Sequence, residues 1–221
     1  MKEFDIRDGI LVKYKGTGRA AVIPEGVTVI GEGAFAFCFE LTGVTFPVGV
    51  TEIKARAFNG CMRLADVTIP DGVKVIGAYA FCECPEITSI KLPDSLTEIG
   101  AGAFHNCINL TDVTIPESVT TLEESVFDGC QNLTGVTVPA GVTRIGPSAF
   151  FHCRSLKSVT IPESVTKIMV CAFYGCENLE SVMIPDSVTY IQTDAFAEVP
   201  SVTYKGKTYT EENINELYEL F

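Results

Sequence analysis

Three residues in this chain are of types that do nucleophilic chemistry together: Cys82, His105 and Asp128. In that order they supply a thiol, a base and a carboxylate that orients the base, the components of a cysteine hydrolase. The three are spaced 23 residues apart. That spacing matters only if the chain folds so that positions one such interval apart stand side by side. The full column reads Ala36, Asn59, Cys82, His105, Asp128, Phe151, Tyr174 and Ala197. A variable surface position that carries three polar residues in turn explains it equally and asks for less. No glycine-rich elbow or anion-binding turn is in place to hold an oxyanion. The other histidine, His152, is out of phase.

The rest of the sequence says what would align such a column. Prolines recur every 23 residues at Pro24, Pro47, Pro70, Pro93, Pro116, Pro139, Pro162 and Pro185. Phenylalanines keep the same interval from Phe35 to Phe196. A cysteine stands three residues after most of them, at Cys38, Cys61, Cys84, Cys107, Cys130, Cys153 and Cys176. Residues 156–178, LKSVTIPESVTKIMVCAFYGCEN, are one unit, and eight such units run along the chain without insertion or deletion. A unit this short cannot bury its own apolar positions, whereas stacked units join theirs into one core, which makes a repeat solenoid. Leu156, Val159, Ile161, Val165, Ile168, Ala172, Phe173 and Cys176 are the inward positions. Residues 158–161 alternate and are β-branched, so they read as a strand that pairs in parallel with its neighbours about 4.8 Å away. The proline cannot donate to that ladder, so it ends the strand, and S-V-T-K-I after it reads as a second short strand or an extended edge. Residues 172–176 lack β-branching and read as a helical turn.

The form L-x-x-V-x-I-P-x-x-V-x-x-I-G-x-x-A-F-x-x-C resembles the BspA-like, or treponemal-type, leucine-rich repeat over residues 21–201. The start, DGILVKYKGTG before AVIPEGV, resembles the N-terminal cap common in that family. The resemblance implies a right-handed leucine-rich-repeat coil, with a parallel sheet on the concave face and short helical turns on the other. It implies bacterial cell-surface adhesion or host-protein binding, and no enzyme activity. An open solenoid end would expose core and strand edges, so caps are expected. Asp8-Gly9 and Lys205-Gly206-Lys207 are hairpin signals. Thr210 is placed to N-cap a helix with an apolar stripe of Ile214, Leu217, Tyr218 and Phe221. The expected organisation is therefore one structural domain: a hairpin cap at 1–20, eight repeats at 21–201, and a hairpin and helix cap at 202–221.

Composition narrows the partners. A net charge of −12 and a pI of about 4.6 suit neither nucleic acid nor an anionic membrane. No apolar run is long enough to span a bilayer. The charges at Lys2, Glu3, Asp5, Arg7 and Asp8 do not read as a signal peptide, whereas the resemblance points to the bacterial surface, so the compartment stays open. Seven of the nine cysteines lie in the inward phase, where a thiol packs as a small hydrophobe. Neighbours one strand spacing apart are too distant for a disulfide. No C-x-x-C pair or paired histidines suggest zinc, and no cofactor is expected. Cys82 and Cys171 are off-phase and are the expected exposed thiols.

Two outward strand columns form the expected binding surface. One runs Gly43, Asp66, Ser89, Asp112, Gly135, Ser158, Ser181; the other runs Thr45, Thr68, Lys91, Thr114, Thr137, Thr160, Met183. Past the prolines lies an acidic rail of Glu25, Asp71, Asp94, Glu117, Glu163 and Asp186. Its carboxylates come one per coil without a ligand loop, which does not suit calcium. Strand propensity and solubility alone account for threonines and acids here. The functional reading is a non-enzymatic module that binds a basic protein segment through Asp66, Thr68, Asp71, Lys91, Asp94, Asp112, Thr114, Glu117, Thr137, Thr160 and Glu163. A structural or assembly scaffold is the alternative, and a cysteine hydrolase using Cys82, His105 and Asp128 the third. A further stripe, Thr28, Thr51, Lys74, Thr97, Thr120, Thr143, Thr166 and Thr189, suggests hydroxyls bonded to backbone, with Arg144 and Lys167 a small basic spot beside it.

Overall fold

The structure is a computed structural model and describes residues 3–221. Each coil contributes two short strands. The first has three residues in most coils, as at Ser89–Lys91, Asp112–Thr114, Gly135–Thr137 and Ser158–Thr160, which pair in parallel with no shift of register. Asp112 faces Ser89 and Gly135, and Thr114 faces Lys91 and Thr137, so positions one repeat apart do stand side by side. The second strand has two residues, as at Val75–Ile76, Glu98–Ile99, Arg144–Ile145 and Lys167–Ile168, and forms a second parallel ladder.

The proline between them opens a tight turn. Its carbonyl accepts from the amide three residues on, as from Val119 to Pro116 and from Val165 to Pro162, both at 3.0 Å. A ring that cannot donate stands where the first ladder ends, and its carbonyl starts the bend into the second.

The third side of the coil departs from expectation. The segment carrying the phenylalanine is not helical: among the described residues the one helix is Ile214–Tyr218, in the C-terminal segment. The hydrogen bonds give the reason. Ala80, Cys82 and Ile87 donate their amides three residues back within their own coil. Tyr79, Phe81 and Glu83, between them, donate instead to the carbonyls of Ala101, Ala103 and His105 in the next coil, all at 2.8 Å. An α-helix would take every amide for itself. Here alternate amides join the coils, so this side is a third hydrogen-bonded seam made of successive turns. Such turns need left-handed residues, and each coil has two, four positions apart, such as Tyr79 and Glu83 at φ +56° and +57°. At Gly60 the same conformation (φ +69°) lies beneath the Phe37 ring, which a Cβ would approach to 2.7 Å.

A row of aromatic rings runs the length of a core otherwise built of leucine, isoleucine, valine, alanine and cysteine. Phe35, Phe58, Phe81, Phe104, Phe127, Phe150, Phe173 and Phe196 are buried and stack with centroids 4.8–5.7 Å apart. Tyr14 extends the row by stacking on Phe35 at 4.9 Å. Tyr14 comes from the antiparallel hairpin of Phe4–Arg7 and Ile10–Tyr14. At the other end Val202–Tyr204 and Lys207–Tyr209 form a second antiparallel hairpin. The short helix follows, and the Phe196 amide donates to the Tyr218 hydroxyl at 3.0 Å. Asn213, not Thr210, is the residue at its N-cap, and no side chain caps it; Thr210 instead donates its amide to Asn213 Oδ1 at 2.8 Å.

Candidate functional site

The open side of the first ladder carries the residues expected to bind. Asp66, Thr68, Asp71, Lys91, Asp94, Asp112, Thr114, Glu117, Thr137, Thr160 and Glu163 are all exposed. The pleat sets this, because the branched residue between each outward pair is buried, as Val113 is between Asp112 and Thr114. Among the described residues none of the six carboxylates in that set forms an ion pair. Their negative field therefore meets solvent uncompensated, with Lys91 the only cation among them.

Two depressions mark the N-terminal part of this face. One, of about 530 Å³, has a floor of small residues (Ala20, Gly43, Ala65) beside Asp66, Thr68 and Ser89. The adjoining one, of about 440 Å³, is lined by Phe46, Val48 and Pro70 beside Asp71, and the two share Val44, Thr45 and Thr68. A third, of about 460 Å³, lies at the C-terminal end between Thr160, Glu163, Met183, Asp186, Thr203 and Lys205. The depressions at Val48 and Met183 pair a side chain more than two-thirds exposed (87% and 72%) with nearby carboxylates. Met183 stands in an outward column of the sequence as its one apolar member, and Val48 holds the rail position one repeat before Asp71.

The threonine stripe is bonded to backbone. Thr51, Thr97, Thr166 and Thr189 donate their hydroxyls to the main-chain carbonyl of the same position one coil back, at 3.1–3.4 Å. Ser164 and Ser187 do likewise two positions away, to Val142 and Val165. Arg144 and Lys167 are register partners in the second ladder and form the basic spot.

The chemical column comes together only in part. His105 Nδ1 lies 3.2 Å from Asp128 Oδ2, and Phe151 stacks on Tyr174 at 5.1 Å, so the column is aligned. The His105 nitrogen makes no well-directed hydrogen bond, and the pair with Asp128 is an ion pair only when the imidazole is protonated. Nearness to Asp128 raises the imidazole pKa against an opposing push from burial. Cys82 was expected to be exposed and is not: 5% of its surface meets solvent. It is a short side chain in a column where Asn59 and His105 stand on either side. Burial pushes its thiol up to about 11, Glu83 adds to the push, and Asn59 opposes it. Among the described residues no hydrogen bond joins Cys82 to His105, so the thiol has no base hydrogen-bonded to it that would take its proton. Cys171, by contrast, is half-buried, as is Cys38.

The inward thiols do more than fill space. Cys61, Cys84, Cys107, Cys130, Cys153 and Cys176 each donate S–H to the phenylalanine carbonyl of the preceding coil, at 3.1–3.2 Å. Burial pushes Cys61 and Cys176 up to about 12, which keeps them protonated donors. Among the described residues no group of three or more metal-ligating side chains comes together, and no helix is long and apolar enough to cross a membrane.

A β-solenoid of some eight coils, each of about 23 residues and joined by parallel ladders, is the framework of a leucine-rich-repeat protein. Residues 14–134 and 121–217 match the BspA type Leucine rich repeat region, in six copies, and this chain belongs to that family. Proteins of this kind are in general interaction scaffolds and not enzymes. Among solved structures it is similar to the leucine-rich repeat protein of T. pallidum, at 28% identity and a TM-score of 0.71, over 96% of this chain and 87% of that one. It is similar to a leucine-rich cell surface protein of Faecalibacterium prausnitzii at 28% identity and a TM-score of 0.53, over 89% of this chain and 61% of that one. A leucine-rich repeat protein of Bacteroides ovatus shares 25% identity at a TM-score of 0.55, over 89% of this chain and 66% of that one. No curated protein matches the chain.

Proposed function

We propose that this protein binds a basic segment of a partner protein along the open side of its first ladder. The supporting observation is that face itself: in-register columns of exposed threonines and unpaired carboxylates, with an apolar residue in a depression near each end. A partner strand carrying lysine or arginine neutralises the carboxylates without desolvating a cation of this chain, apart from Lys91 and, at the C-terminal depression, Lys205. Aliphatic side chains on the same segment fit beside Val48 and Met183. Without an aromatic anchor on the open columns the contact is broad and of modest affinity. The named cell-surface relative favours an adhesive setting, in which the partner is a host protein.

The test uses an array of peptides alternating lysine or arginine with aliphatic residues, followed by titration of the best binder. Asp66→Arg with Asp112→Arg is expected to weaken binding about tenfold or more, since like charges then face each other. Thr28→Arg with Thr51→Arg, off this face, is expected to leave it unchanged. Binding that survives the first pair moves the site elsewhere, and binding of acidic peptides in preference to basic ones removes the charge argument.

A further inference from the structure

The most exposed aromatic side chains of this molecule are not on the ladder face. Phe37 and Phe39 are 59% and 54% exposed, with ring centroids 6.1 Å apart. They lie at the corner where the turn seam gives way to the first ladder. One coil on, in the column of Phe39, come Met62 at 44%, then Pro85, then Ile108 at 37%. The column then turns polar at Gln131, Arg154 and Glu177. Side chains one coil apart are in reach of each other here: Arg154 pairs with Glu177 at 3.5 Å, and in the next column Arg63 pairs with Glu40 at 2.7 Å and Asn132 with Asn109 at 3.1 Å. Phe37, Phe39, Met62, Pro85 and Ile108 thus make one apolar ridge, confined to the N-terminal half of the rod. A scattered apolar residue needs no explanation, but a contiguous ridge of five does.

The charges beside the ridge say what fits on it. Place a second copy antiparallel, with a two-fold axis in the contact plane between the coils of Met62 and Pro85. Each column then meets itself reversed, so Phe39 faces Ile108 and Met62 faces Pro85. In the neighbouring column Arg63 faces Glu86. Glu86 is exposed and has no cation partner among the described residues. The surface is therefore complementary to itself in both apolar contact and charge, as an isologous interface must be. We propose that this corner ridge is a homodimer interface, a surface separate from the partner-binding face. The same ridge placed parallel, with the two-fold axis along the rod, keeps the coil order, so the column of Arg63 and Glu86 meets either the other side of the ridge or itself like for like, and Glu86 is left uncompensated.

Sedimentation velocity over a concentration series of the full chain tests this. The wild type is expected to form a concentration-dependent dimer, modest in affinity because the ridge is narrow. Phe39→Asp is expected to leave it monomeric at every concentration, with its circular dichroism unchanged. Arg63→Glu and Glu86→Arg are each expected to weaken dimerisation about tenfold, and the two together to restore it. A wild type that stays monomeric overturns the proposal, as does a dimer indifferent to Phe39→Asp, or charge changes that add instead of compensating.

Discussion

The carbonyl of Phe104 accepts twice, from the Cys107 amide of its own coil at 3.1 Å and from the Cys130 thiol of the next at 3.2 Å. A residue chosen only for size would not need a donor there, so cysteine holds this position as a small side chain that also bonds. The same placement keeps these thiols out of solvent and protonated. A disulfide-exchange reagent added to the native protein is therefore expected to modify Cys38 and Cys171 promptly. The other seven cysteines, Cys82 among them, should react only as the chain unfolds. Mass spectrometry of the labelled peptides checks this. Prompt labelling of Cys82 that is lost in His105→Ala would instead revive the hydrolase reading. The inward phase of the thiols was legible from their spacing, while the bond they make was not, since nothing in a repeat interval says which carbonyl a side chain reaches. The exposure of Cys82 was misread because an off-phase position counts as outward by period alone, and the side chains on either side of it decide the matter.

At the scale of the coil, the first ladder, the second and the direction of the inward residues were legible, because apolar periodicity is what stacking rewards, although Cys38 in the first coil, read as inward, is only half-buried. The third seam was not. Its left-handed positions are filled by Arg56, Tyr79, Ser125, Ser148 and Cys171 as well as by Gly33 and Gly102, a set with no common propensity to read. Only the inter-coil bonds hold such residues at positive φ, where most side chains are strained by about 1 kcal/mol. Opposite substitutions in one column follow. Gly102→Ala puts a Cβ into the Tyr79 ring and is expected to lower stability by more than about 1 kcal/mol, whereas Ser125→Gly relieves strain and is expected to raise it by up to about 1 kcal/mol. Urea unfolding of the two variants measures both. The candidate binding face was legible as columns, but its depressions depend on how Phe46 and Lys205 lean over their neighbours, which a sequence does not show.

At the scale of the molecule, each coil touches only the next, so stability is a sum of coils and the joins between them. Phe104 sits in the middle of the ring stack, 5.7 Å from Phe81 and 5.5 Å from Phe127. Phe104→Ala removes both joins at once and is expected to cost about 3–5 kcal/mol. It should also part the N-terminal from the C-terminal coils, so that denaturant unfolding takes two steps in place of one. A single transition merely shifted to lower denaturant would show that the ladders alone couple the halves.

The three seams do not point the same way. Along the turn seam the amides of Phe81 and Phe104 reach forward to the next coil, to Ala103 and Val126. On either side of the second strand, Thr97 and Gly100 reach backward, to Lys74 and Ile76, and the threonine and cysteine side chains reach backward as well. Peptide dipoles laid head to tail would build opposite partial charges at the two ends of a rod. Laid in opposition they offset one another, whatever the number of coils. Duplicating or deleting one coil adds or removes bonds of both directions together, so the ends gain less field with length than seams pointing one way would give them.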